Sequence, residues 1–209
     1  MHEKVLPRGS RELLAKLESL SRPELEGWTL AGGTGLALQL GHRVSEDFDF
    51  FRSGVFSPDR LYRCLRDTGE VEVLQEDDRT LTALVSGVKV SFFSVPEDFL
   101  FPKAPFSFFE LADPRDIALM KLVAISGRGS RKDFIDLYSI LQSGPSLEQC
   151  LDWLPQKYGE ERVNSYHVLK SLTYFEDAER EPTPRMLEPF DWSECTRFFV
   201  REAHAIVLR

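Results

Sequence analysis

Basic charge, cysteine and long apolar runs are all scarce in this sequence. Lys and Arg number 26 against 34 Asp and Glu, for a formal net charge of -8. Affinity for a nucleic-acid backbone comes from Lys and Arg set against phosphates, so the chain is a poor generic binder of nucleic acid, although a local basic patch is not excluded. Cysteine occurs only at Cys64, Cys150 and Cys195. An odd number at wide spacing excludes a disulfide framework and a paired-cysteine metal site, and it fits a reducing cytoplasm. No apolar run approaches the roughly 20 residues of a membrane span. Met1 to Arg8 has no apolar signal core. The expectation is a cytoplasmic protein with no membrane partner. Internal repeats and low-complexity tracts are also absent. What is present, 209 residues of which 42% are hydrophobic, suffices for one large domain or for a core with a helical extension.

The chain is organised around residues 28–51. Trp28-Thr29-Leu30 reads as a strand, Gly32 and Gly33 as a turn, Leu36 to Leu40 as a short apolar helix, and Asp47-Phe48-Asp49 as the entry to a second strand. Glycines at a strand-to-helix turn let the backbone approach a phosphate, and the amides of the helix start point at it. Asp47 and Asp49 are two apart, so on a strand they share a face, separated by roughly 6.6 Å along the backbone. Two carboxylates facing one way repel unless a cation lies between them, and such oxygen ligands suit Mg²⁺ carried with phosphates. Alone, the glycine pair is equally a plain turn and the Asp-x-Asp a solvated strand face. Their order, strand, glycines, helix, carboxylates, suits a nucleotide held at a helix start with its metal beside it. The P-loop is excluded because no Lys-Ser or Lys-Thr follows the glycines, and the dinucleotide fingerprint because Leu38 stands where its third glycine would.

Around this stretch the periodicities are plain. Residues 10–20 read as an amphipathic helix with Ser10 as cap, and Ser21 to Glu24 as a second short helix. Ser57-Pro58 starts a helix running to about Asp67. Three runs, beginning at Val71, Thr80 and Val88, read as an antiparallel meander turned by Asp77-Asp78 and Ser86-Gly87. The strand from Gly87 to Val95 contains no acid. Residues 96–112, with Pro96, Pro102 and Pro105, read as a long apolar loop. Asp113-Pro114 opens a buried helix whose apolar run, Ile117 to Ile125, carries one charge, Lys121; that lysine either snorkels to the surface or points into a polar cleft. Gly127 and Gly129 end that helix. Ser130 to Asp133 is a capping pattern, which makes Asp133 an acid of the first turn, and Asp136 follows one turn later on the same face. The remainder reads as three helices, Leu147 to Lys157, Val163 to Phe175 and Trp192 to Val207, with a proline-broken linker at 179–184. His42, His167 and His204 are scattered.

Two separated sets of these residues resemble one family. Gly32-Gly33-Thr34, Leu36-Ala37-Leu38, His42-Arg43, Ser45 and Asp47-Phe48-Asp49 are similar to the first motif of the AbiEii/AbiGii-toxin nucleotidyltransferases, relatives of the minimal nucleotidyltransferases and the DNA-polymerase-beta-like enzymes. Lys121 with Ala124, Arg128, Lys132-Asp133 and Asp136-Leu137-Tyr138 are similar to its later motif. The resemblance covers roughly residues 28–141. It implies an α+β fold: a nucleotidyltransferase core with a mixed β-sheet flanked by helices over 1–112, then a helical region over 113–209 that carries the second motif and shapes a cleft. It implies transfer of a nucleotide from an NTP to a tRNA-like RNA or a protein hydroxyl, with Mg²⁺ or Mn²⁺, in a toxin with a cognate antitoxin. Asp47 and Asp49 would be catalytic and hold the metal. Lys121, Asp133 and Asp136 would complete the catalytic set, the aspartates orienting Lys121 or assisting the acceptor. Gly32, Gly33, Thr34, Arg43, Ser45, Arg128 and Lys132 would bind the nucleotide. The resemblance also implies a third carboxylate on a later strand, and Ser91 stands where it would be sought; its absence leaves a rival, a non-catalytic nucleotide- or partner-binding module on the same scaffold.

Overall fold

Alternating large apolar and polar residues at 48–52 and 88–94 build the centre of a seven-stranded mixed sheet. The computed structural model describes residues 1–206. The chain divides into two compact units, Met1–Asp113 and Pro114–Arg209.

In the first unit the elements run α1 (Arg8–Leu20), β1 (Thr29–Leu30), α2 (Gly32–Leu40), β2 (Phe48–Arg52), α3 (Pro58–Arg66), β3 (Val71–Asp77), β4 (Thr80–Val85), β5 (Val88–Ser94), β6 (Ala104–Phe106) and β7 (Phe109–Leu111). Across the sheet the strand order is β3-β4-β5-β2-β1-β7-β6. The β3-β4-β5 meander is antiparallel throughout. β2 runs parallel to β5 and antiparallel to β1, and β1 runs parallel to β7. One register row, Leu111–Leu30–Phe50–Phe92–Leu81, crosses five strands with every side chain at most 1% exposed. Phe50 stacks on Phe92 at 5.1 Å, and Trp28 meets Phe92 edge-on at 4.9 Å. Each such side chain contributes about 1.5–3 kcal/mol through burial, which fixes the register. Because successive residues face opposite ways, that register throws Asp49, Ser91 and Thr82 together onto the other face.

Several expectations change here. Residues 96–112 are not all loop: they contain the β6–β7 hairpin. Pro105 is tolerated because β6 is the outer strand, where a missing N–H breaks no ladder. Ser10 is not a cap. α1 begins earlier, at Arg8, and the Ser10 hydroxyl donates to the Glu46 carbonyl at 3.0 Å. The short helix after Ser21 is a 3-10 turn, Pro23–Leu25. Ser57 does cap α3, accepting from the Arg60 N–H.

The second unit is helical: α4 (Pro114–Arg128), α5 (Arg131–Ser143), α6 (Leu147–Tyr158), α7 (Ser165–Ser171), α8 (Glu176–Arg180) and α9 (Trp192–Ala205). α4 lies against α5, α6 and α7, and α5 against α8 and α9. The expected helix over 163–175 is the shorter α7, capped by Asn164, with α8 following. The expected end of the last helix, Val207, lies outside the described residues. Phe134 centres an aromatic cluster with Phe175 at 5.1 Å and Phe199 at 5.5 Å.

Candidate active site

In the first unit, α2 starts at Gly32 itself, four residues earlier than the apolar pattern predicts, so the glycines form its first turn. Gly32 has φ +61°, a conformation costly to any residue with a Cβ. A Cβ there would also lie 2.9 Å from Asp49 Oδ2. At Gly33 a Cβ would overlap Arg43 Nη2 and come within 3.3 Å of Ser45 Oγ. At Gly35, which the sequence reading passed over, a Cβ would press on the Leu30 carbonyl at 2.8 Å. The run of glycines is thus the means by which a helix start sits flush against β1, a carboxylate and a guanidinium. Ala31, before the helix, provides no side-chain cap to the first-turn amides, the groups that a helix start offers to an anion.

The two carboxylates are placed differently. Asp49 lies within β2, half-buried, and its carbonyl accepts from the Ala31 N–H at 3.0 Å. Asp47 precedes the strand rather than belonging to it. Its backbone is pinned by Thr34, whose hydroxyl donates to the Asp47 carbonyl and lies 2.7 Å from Ser45 Oγ. Thr34, Arg43 and Ser45 are all buried. Arg43 Nη1 donates to the Val44 carbonyl at 3.0 Å, and the Ser45 N–H to the Val5 carbonyl at 3.1 Å. These residues, expected to bind nucleotide, hold the 43–47 segment onto α2. His42 is buried beside them.

On β5 the residue opposite Asp49 is Ser91, 1% exposed. Among the described residues no three His, Cys, Asp or Glu side chains converge in a metal-holding group. Asp47 and Asp49 do fit a hard divalent cation delivered with phosphates: both are oxygen donors, and Gly32, lacking a Cβ, lets the helix start approach Asp49 Oδ2 closely.

In the second unit, Lys121 neither snorkels outward nor stands alone. Its ammonium is buried, 2.7 Å from Asp133 Oδ1 and 2.6 Å from Asp136 Oδ2. Arg128 adds Nε to Asp133 Oδ2 at 2.8 Å and Nη2 to Oδ1 at 3.1 Å. Burial alone would lower the Lys121 pKa, but Asp136 and Asp133 outweigh it and raise it. Burial would raise the Asp133 carboxyl, and Lys121 with Arg128 holds it below its ordinary value instead. Asp133 is therefore not an acid serving its own helix start. That role falls to Glu181, which accepts from Ser130 Oγ at 2.6 Å and from the Arg131 N–H at 2.9 Å. Arg131 in turn binds the Ala178 carbonyl and Thr183 and covers the Trp192 ring at 4.6 Å. Lys132 is exposed, and the Arg128 side chain is 61% exposed. A second buried pair, Lys157 to Asp116 at 2.7 Å, carries no motif signal because its partners are 41 residues apart.

Over residues 17–205 the chain matches the family described as nucleotidyl transferase AbiEii toxin, type IV TA system. The chain belongs to the AbiEii nucleotidyltransferase toxin family. Both residue sets above fall within the matched span, and the chain is accordingly a nucleotidyltransferase. An uncharacterized protein of Aquifex aeolicus, aq_aa25, is 37% identical over 204 residues, covering 94% of this chain and 95% of its own. Solved structures share the fold at low identity. MenT4, a nucleotidyltransferase toxin of Mycobacterium tuberculosis, is 15% identical with a TM-score of 0.59, covering 95% of this chain and 83% of its own. JHP933 of Helicobacter pylori is 15% identical with a TM-score of 0.53, covering 98% and 89%. The antibiotic-resistance factor ANT(2'')-Ia is 14% identical with a TM-score of 0.51, covering 70% and 87%. The mixed sheet with its helices is thus the nucleotidyltransferase fold. Among the described residues no helix is long and apolar enough to cross a membrane.

Proposed function

We propose that this AbiEii-family enzyme moves a nucleotide from an NTP to a hydroxyl of a tRNA-like RNA or a protein, with Asp47 and Asp49 holding Mg²⁺ or Mn²⁺. The observation that carries the reading is the fit of Gly32 against Asp49: a helix start with no side-chain cap from Ala31, φ +61°, and a carboxylate oxygen 2.9 Å from where a Cβ would stand. Triphosphate oxygens and a cation-binding carboxylate are wanted side by side in nucleotide transfer, and this backbone puts amide donors and carboxylate side by side. Gly32 and Gly33 give the phosphates their approach. Thr34 and Ser45 keep Asp47 in place, and Arg43 braces the same segment. When bound, the cation neutralises charge at the α-phosphate and the pyrophosphate leaving group. The acceptor oxygen forms a bond to the α-phosphorus, the bond to the β-bridging oxygen breaks, pyrophosphate leaves, and the acceptor proton passes to solvent.

In the second unit Asp133 and Asp136 act as positioning residues that fix Lys121 and Arg128. Arg128 and Lys132 are the cations whose exposed positions suit contact with substrate phosphates. As in other toxins of this kind, a cognate antitoxin protein is the expected partner.

Incubation with each α-³²P-labelled NTP, Mg²⁺ and total bacterial RNA, beside a protein-only control, tests this. Label on RNA or protein identifies acceptor and nucleotide, and Asp49→Asn abolishes it with the fold intact. Undiminished transfer by that variant sinks the assigned site.

A further inference from the structure

The row of residues opposite Asp49 points to how many cations the site can hold. This inference rests on the proposal that Asp47 and Asp49 are the cation ligands. Two-metal sites place their ions about 3.5–4 Å apart, and a second ion is favoured by a further charged oxygen from the protein beside the shared ones. From the sheet, the positions that can supply one are the neighbours of Asp49 on its own face. Toward β1 the chain has already left the strand at Ala31, whose N–H donates to the Asp49 carbonyl. Toward β5 the neighbour is Ser91, and beyond it on β4 is Thr82; they are 1% and 7% exposed. Two residues further along the same face are Phe51 and Phe93, stacked at 5.1 Å. In the other direction along β5 is the exposed cation Lys89. A second divalent ion beside Asp49 would therefore face neutral hydroxyls, aromatic rings and a lysine. Asp47, Asp49 and the nucleotide's phosphates would then have to serve both ions, with no further anionic partner from the sheet for the second.

We propose that Ser91 limits this site to a single divalent cation per bound nucleotide. A carboxylate at position 91 would face Asp49 in register across two hydrogen-bonded parallel strands, the arrangement a second ion needs. The neutral hydroxyl keeps the face uncharged, so Ser91 can be buried without the pairing a carboxylate would demand.

The test counts ions rather than turnover. The full chain is given each α,β-methylene NTP analogue in turn and titrated with Mn²⁺, and free Mn²⁺ is read by electron paramagnetic resonance against a protein-free control. The expected result is one protein-dependent Mn²⁺ per chain, with a second gained in Ser91→Asp and the count unchanged in Ser91→Ala. Two ions in the parent chain overturn the proposal while leaving Asp47 and Asp49 as ligands. Loss of the ion in Ser91→Ala overturns it too, since Ser91 would then be a ligand itself. A folded Ser91→Asp that still binds one ion does the same. If Ser91→Asp does not fold, the parent and Ser91→Ala counts decide. Analogue binding with no protein-dependent Mn²⁺ at all is a different failure, that of the Asp47/Asp49 assignment.

Discussion

Replacing Asp133 with Asn removes one charge from a buried cluster of four charged groups, and its cost can be worked from the contacts. Asp133 is fully buried and receives three donors: Lys121 Nζ at 2.7 Å, Arg128 Nε at 2.8 Å and Arg128 Nη2 at 3.1 Å. Breaking a buried ion pair by removing one partner costs about 3–5 kcal/mol, because the other charge is left in low dielectric. Here the low end applies. Lys121 keeps Asp136 at 2.6 Å, and the Arg128 side chain, 61% exposed, can turn to water. For a unit of about 100 residues, about 3 kcal/mol corresponds to a fall in Tm of roughly 12–24 °C, and to about half that if the whole chain melts together. Thermal unfolding followed by circular dichroism measures it. Lys121→Met should cost more, since it leaves Asp133 and Asp136 facing each other without their shared cation. The double variant should then cost less than the sum, with a coupling of about 1–3 kcal/mol. The acid limb carries the same signature. Asp133 is held below its ordinary value, so its stabilisation is complete above about pH 4 and is lost as pH falls through the lower folded pKa. Lys121 is held above its ordinary value, so its share is complete below about pH 10 and is lost as pH rises through the higher folded pKa. Asp133→Asn should flatten the acid limb and also weaken the alkaline one, because Asp133 is one of the two carboxylates that raise Lys121. An Asp133→Asn protein that melts within about 2 °C of the parent, or strictly additive single and double variants, would refute a cluster that positions Lys121 by charge.

Gly32→Ala forces an L-residue into φ +61° and sets a methyl 2.9 Å from Asp49 Oδ2, so about 1–2 kcal/mol of stability and at least a tenfold loss of Mn²⁺-nucleotide affinity are expected by melting and titration. Glu181→Ala strips the acceptor from Ser130 and the Arg131 amide, and a loss of about 1–2 kcal/mol should appear with faster hydrogen exchange at the start of α5. Burial pushes the Cys150 and Cys195 thiols up to about 12, so both should resist Ellman's reagent at pH 8 until guanidinium unfolds the chain.

What the sequence made legible was local. The Ser57-Pro58 start of α3 needs only residues 57–60, and the meander only the period-2 alternation and its Ser86-Gly87 turn, where both residues take positive φ. The lack of an acid on the strand from Gly87 to Val95 was also readable, but that Ser91 lies opposite Asp49 emerges only from the pairing of β2 with β5. What stayed hidden depends on partners distant in the chain. Pro105 argued for a loop, and only the place of β6 at the sheet edge makes it a strand residue. Ser130 and Asp133 imitate a capping box, yet the cap comes from Glu181, 51 residues away. Asp116 and Lys157 each look like solvated helix charges until α4 and α6 are brought side by side.

The same contrast runs through the first unit's candidate site. Asp47 and Asp49 form one Asp-x-Asp in sequence, but two separate devices place them. Asp49 is fixed by the sheet: Phe48 and Phe50 are buried on either side of it, so its side chain has no other direction to take. Asp47 stands outside the ladder and is fixed by Thr34 and Ser45, whose hydroxyls tie residues 45–47 to the first turn of α2. Gly33 is what lets Arg43 and Ser45 approach that turn at all. The motif's small residues therefore serve to bring a loop, a strand and a helix start close together. A substitution of Thr34 loosens the backbone of Asp47, one of Gly33 strikes Arg43 and Ser45, and one at Gly32 strikes Asp49 and the helix start together.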